Sequence, residues 1–107
     1  MALNLKTDVK VIIKDGDETL LDCKVSSRSL TKKDRKRISK MISEAQAHVD
    51  DDAARTLDDI EKVSKLRFDV QISGEGKEKL KEFAEEYGYA MILGEIDRLV
   101  EESQGKR

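Results

Sequence analysis

Val9, Val11 and Ile13 alternate with Lys10 and Lys14, Asp15-Gly16-Asp17 interrupts, and Thr19, Leu21, Cys23 and Val25 take the alternation up again. A two-residue period on both sides of a Gly-containing break specifies a β-hairpin with one apolar face. A three-residue loop would pair Lys14 with Glu18, Ile12 with Leu20 and Lys10 with Asp22. It would leave Val9, Val11, Ile13, Thr19, Leu21 and Cys23 on the other face, and opposite charges would oppose each other twice. A lone hairpin is marginal in water, so the rest of the chain has to supply further strands or helices to cover that face.

Leu30-Thr31-Lys32-Lys33-Asp34 carries a helix start. The Thr31 hydroxyl can accept from the amide near Asp34 while the Asp34 carboxylate answers the Thr31 amide, a reciprocal cap. Ile38, Met41, Ile42, Ala45 and Val49 follow at helical spacing, with the basic residues mainly on other faces. Neither Gly nor Pro occurs between Asp17 and Ser73, so the one candidate break is Asp50-Asp51-Asp52, where an Asp could cap a second helix bearing Ala53, Leu57, Ile60 and Val63. The stripe from Ile38 to Val63 nevertheless keeps its phase at about 100° per residue, so one long helix and a broken pair both fit.

Phe68, Val70 and Ile72 alternate with Arg67, Asp69 and Gln71 ahead of Ser73-Gly74-Glu75-Gly76, a pattern that predicts a third strand and a turn into the next helix. Leu80, Phe83, Ala84 and Tyr87 form a helical stripe that stops at Gly88. Ile92, Leu93, Ile96, Leu99 and Val100 begin a new phase, which predicts a helix-turn-helix corner, and Glu101 to Arg107 should fray. The expectation is one α+β domain over residues 1–107: a hairpin at 8–26, a helical middle at 31–65 and a strand-helix-helix unit at 66–102, with a small sheet packed against helices.

Charged residues make up 41% of the chain and the hydrophobic set 37%, and only Phe68, Phe83, Tyr87 and Tyr89 are aromatic, so the core has to be thin and aliphatic. The net charge is -2, yet seven of the thirteen residues from Arg28 to Lys40 are basic: Arg28, Lys32, Lys33, Arg35, Lys36, Arg37 and Lys40. A cluster of one sign on a balanced surface focuses potential and marks a docking face for an acidic partner. The negative balance of the whole domain works against general nucleic-acid affinity, which comes mostly from phosphate neutralisation. Tyr87, Tyr89, Met91 and Ile92 around Gly88 offer a second candidate surface, apolar enough for a dimer or a partner groove. No apolar run reaches the length of a membrane span, and Met1-Ala2-Leu3-Asn4 lacks the basic region of a signal peptide, which predicts a cytoplasmic protein.

Reactive chemistry finds little footing. Cys23 stands alone on the inward phase of a strand and reads as a buried small hydrophobe. His48 is the sole histidine; with Asp52 four residues on it makes two potential ligands, too few to hold a metal. Asp50-Asp51-Asp52 lacks the alternating ligands and the closing Glu of a calcium loop. Ser73-Gly74-Glu75-Gly76-Lys77 has the glycines of an anion-cradling turn without the full phosphate-loop spacing, and places Glu75 where the anion would sit. No Ser or Cys has an identifiable base partner. The expectation is a protein without catalytic residues, cofactor or metal.

The segment Arg67-Phe68-Asp69-Val70-Gln71-Ile72-Ser73 with Leu80 to Gly88 resembles the strand, first helix and turn of ribbon-helix-helix DNA-binding proteins. That resemblance implies a dimer whose paired strands read the major groove with Arg67, Asp69 and Gln71. Asp69 would then sit beside phosphates, and Ala90-Met91-Ile92-Leu93 stands where the family has small hydroxyl residues. Over most of its length the chain is similar in layout to the tail assembly chaperones of tailed bacteriophages: a hairpin such as Lys10 to Val25, a helix start such as Leu30 to Asp34, an acidic middle at Asp50 to Asp52 and a closing helical module at Glu78 to Glu102. This second resemblance implies a cofactor-free assembly factor that binds the tape-measure protein or tail-tube subunits, and it is the preferred expectation, with a DNA-binding regulator as the alternative.

Overall fold

The computed structural model describes residues 5–47 and 53–104. Strands β1 (Lys6–Asp15) and β2 (Glu18–Arg28) form the expected hairpin, but the turn is tighter than the charge pattern suggested. Asp15 pairs with Glu18 across a two-residue Gly16-Asp17 loop, and Gly16 takes φ +65, the left-handed sign that tight hairpin turns require there. Continued without interruption, that register would bring Asp22 and Lys24 to the core face. Instead the register shifts between Ile13 and Lys14, leaving Leu20 unpaired as a bulge. Beyond it Ile13 opposes Leu21, Val11 opposes Cys23 and Val9 opposes Val25, so the apolar residues of both strands share one side. Lys10 now lies opposite Lys24 and reaches Asp22 diagonally at 3.8 Å. Thr19, expected on the inner face, is exposed.

Helix α1 (Lys32–Gln46) opens on the reciprocal cap: the Asp34 amide donates to Thr31 Oγ1 at 3.1 Å and the Thr31 amide donates to Asp34 Oδ2 at 3.3 Å. It ends at Ala47, and α2 (Ala53–Gln71) is a separate helix. His48 and Asp50 to Asp52 lie outside the described residues. The third strand is shorter than expected, because α2 continues through Arg67, Asp69 and Gln71 and leaves β3 only Ile72–Ser73. Phe68 and Ile72 stand four residues apart, so a helix buries both as readily as a strand would, and no Gly or Pro stops the helix before Gly74. Packing decided between the two patterns: Ser64, Phe68 and Gln71 are buried at helical spacing, and Val70 is only half-buried.

β3 pairs antiparallel with β2, Ser73 with Ser26 and Ile72 with Ser27, giving the sheet order β1-β2-β3. The following turn stays close to β2. The Gly76 amide donates to the Lys24 carbonyl at 3.1 Å, and a Cβ at Gly76 would meet that oxygen at 2.6 Å, so only glycine fits without displacement. Helices α3 (Lys77–Tyr87) and α4 (Tyr89–Gln104) meet at Gly88, whose φ is +110. The core joins Val9, Val11, Leu21, Cys23 and Val25 of the hairpin to Phe68, Ile72, Leu80, Ala84, Tyr89, Ile92, Leu93 and Ile96. Phe68 and Tyr89 meet edge to face at 5.4 Å between ring centroids. No described helix is long and apolar enough to cross a membrane.

Candidate protein-interaction surface

α1 stands outside that core. Its one buried residue, Ile38, does not belong to the core cluster, and its main neighbour is α2. Helical spacing puts Lys33, Lys36 and Lys40 on the side of α1 opposite Ile38, and all three are exposed. Lys32, Arg35 and Arg37 flank them and are also exposed. Arg28 differs: it ends β2, donates to the Ser29 carbonyl and approaches Asp34 at 3.5 Å. The Thr31 hydroxyl and amide bonds, aided by Arg28, hold the Asp34 carboxyl below the usual carboxylate range. The basic residues predicted as one patch are thus an exposed stripe on α1 and one arginine that pins the helix start.

α2 carries a second surface. Half-buried Val63, Leu66 and Val70 lie on one side, while Ser64, Phe68 and Gln71 are buried on the other; α1 and α4 are the helices in contact with α2. The body-facing stripe does not stop where the body does. Phe68 is 0% exposed, Ile60 47% and Leu57 63%, so the same helical face runs out of the core and into solvent. Ile42 of α1 is also exposed. α1 and α2 therefore form an arm with a basic outer face and an apolar underside. Leu57 and Ile60 look from the sequence like ordinary core positions; their exposure among the described residues is a tertiary fact with no signal in their spacing.

The predicted apolar corner splits into two. Tyr89 and Ile92 are buried, while Tyr87 and Met91 are exposed. Tyr87 stacks on Phe83 at 4.5 Å between ring centroids. Tyr89 is tied in: its hydroxyl donates to Glu85, its ring lies 5.9 Å from Lys65 Nζ, and burial with the Glu85 carboxylate pushes its pKa up. The same hydroxyl, with Lys65 nearby, holds Glu85 below the ordinary range.

Arg67, Asp69 and Gln71 do not form a strand and do not share a reading face. The Arg67 guanidinium donates to Gln71 Oε1 at 2.9 Å and to both Asp97 oxygens at 3.2 Å. Gln71 is buried and donates to the Arg28 carbonyl at 2.9 Å. Asp69 is exposed, and its carbonyl accepts from Lys77 Nζ at 3.1 Å. The first two fasten α2 to α4 and to the end of β2.

The glycine turn before α3 spends its amides internally, Gly76 on Lys24 and Lys77 on the Gly74 carbonyl. Beside it a shallow, open concavity of about 1050 Å³ is lined by Lys10, Asp22, Lys24, Glu75 and Lys79 among others, charges of both signs, and on its wall the Ser26 hydroxyl donates to the Asp8 carboxylate with no histidine among the lining residues. Cys23 is free and buried, and burial, then Asp22, pushes its thiol up. No group of three or more His, Cys, Asp or Glu side chains converges among the described residues. Comparisons with known protein families, curated proteins and solved structures found no match to this chain.

Proposed function

We propose that this chain is a non-enzymatic, protein-binding assembly factor that holds an apolar segment of its partner against the underside of α2. The reading rests on one observation: the α2 face that buries Phe68 continues outward as exposed Ile60 and Leu57. Apolar surface contiguous with a core, rimmed by charge and left uncovered, is what a partner's burial would complete. The basic stripe of α1 on the outer face supplies attraction toward an acidic partner. If the resemblance in layout to phage tail assembly chaperones holds, the partners are tail-tube or tape-measure subunits and the compartment is the cytoplasm. Support for the ribbon-helix-helix alternative is weaker, since residues 67 to 71 are helical and Arg67 and Gln71 are engaged within the fold.

Co-expression with candidate tail subunits tests this. Co-purification that persists in the wild type and disappears in Leu57→Lys/Ile60→Lys, with the fold intact, is the expected result. Tight duplex DNA binding that weakens steeply with salt and falls when Lys33, Lys36 and Lys40 are neutralised would overturn it.

A further inference from the structure

β1 is an edge strand, with β2 its one strand neighbour among the described residues. The Ser29 amide donates to the Leu5 carbonyl at 2.7 Å. In an antiparallel ladder, residues bonded to the neighbouring strand alternate with residues whose N–H and C=O point away. Thr7, Val9, Val11 and Ile13 therefore bond toward β2, while Lys6, Asp8, Lys10, Ile12 and Lys14 turn their backbone groups outward. No described residue pairs with them there.

Only outward-turned residues can pair across such an edge, which restricts the registers open to a second β1 running antiparallel about a two-fold axis. Centred on Lys10, the axis sets Lys6 against Lys14 and Lys10 against its own copy. Centred on Ile12, it sets Lys10 against Lys14 twice. Both are repulsive. Centred on Val9, Asp8 faces Lys10, a lysine already drawn to Asp22 at 3.8 Å. Centred on Val11, Asp8 faces Lys14 on both sides of the axis, Lys10 faces Ile12 and Val9 faces Ile13. Asp8 accepts from the Ser26 hydroxyl through Oδ1, which leaves Oδ2 for a cation; Lys14 has no ion-pair partner among the described residues, and Ile12 is 43% exposed.

We propose that a second copy of this chain pairs through β1, antiparallel about a two-fold axis at Val11, joining the two sheets into one. The lysines along the edge deter other strands, and this register turns Lys14 into the partner of Asp8. The inference stands apart from the role of the arm.

Sedimentation velocity of the full chain over a concentration series tests it. The expected result is a monomer–dimer equilibrium that weakens about tenfold or more in Asp8→Lys and in Lys14→Asp, since each replaces two attractions by two repulsions. Mixing the two variants should restore a dimer, because both lysines of the first variant then face aspartates of the second; that recovery also shows that both variants fold. Amide exchange should slow with concentration at Asp8, Lys10, Ile12 and Lys14. A monomer at every concentration, a dimer indifferent to both substitutions, or variants that fail to recover on mixing would each overturn the proposal.

Discussion

Glu61, midway along α2, caps a helix that is not its own: its Oε1 accepts the Tyr89 amide at 2.7 Å, and its Oε2 accepts the Ala90 amide at 3.1 Å. α4 has no acidic residue in its first turn, so the carboxylate that satisfies its free amides comes from a neighbour 28 residues away in the chain. Gly88 makes room for it, since a Cβ there would approach Glu61 Oε2 to 3.3 Å. Glu61→Ala should cost about 1–2 kcal/mol, as loss of a helix cap does, and Glu61→Gln, which keeps an acceptor, should cost less. Urea unfolding monitored by circular dichroism measures both, and an unaltered midpoint for Glu61→Ala would refute the role.

Two glycines should respond oppositely to alanine. At Gly76 the new Cβ would strike the Lys24 carbonyl at 2.6 Å and the Cys23 Cβ at 2.8 Å, both on a packed strand, and a loss of about 1–3 kcal/mol is expected. At Gly94, inside α4, nothing lies within 4 Å of the added methyl, and Gly94→Ala should stabilise by about 0.5–1 kcal/mol. Thermal melts of the pair settle the ordering.

The two ends of the α2 stripe should separate stability from binding. Phe68→Ala empties a fully enclosed site and should cost about 3–5 kcal/mol. Leu57→Ala, at the exposed end, should change stability by less than about 0.5 kcal/mol. Chemical denaturation of both variants checks this contrast.

The start of α1 should loosen in acid. Asp34 has its folded pKa depressed by Thr31 and Arg28, so its contribution is fully present above the ordinary aspartate pKa and is lost as pH falls through the lower, folded value. Amide exchange at Lys32 to Arg35 should therefore accelerate below the normal aspartate range, and Asp34→Asn should remove that pH dependence. Thr31→Ala should cost about 1 kcal/mol at neutral pH.

Elements marked by local chemistry were legible in the chain itself. The alternation at Val9 to Val25, the Thr31–Asp34 cap and the Gly88 boundary each depend on residues within a few positions of one another, and the structure has all three. The hairpin register was not, because the charge pattern favoured a three-residue loop while the Leu20 bulge satisfies both a tight turn and a one-sided core. The strand expected at Phe68 to Ile72 failed because residues four apart fit helix and strand alike, and only contact with Tyr89 and the body decides between them. The basic run on α1 was visible, but the exposed end of α2 was not, since exposure there is set by where the other elements stop.

α2 spans 19 residues, about 28 Å at the usual rise per residue, with neither glycine nor proline along it. Such a rod is held near its middle by Glu61 and toward its C-terminal end by Arg67, Phe68 and Gln71, with no residue between those anchors and Leu57 that would break the helix. A partner seated at Leu57 would act on the helix that carries Glu61, so amide exchange at Tyr89 and Ala90 should report such occupancy from a distance.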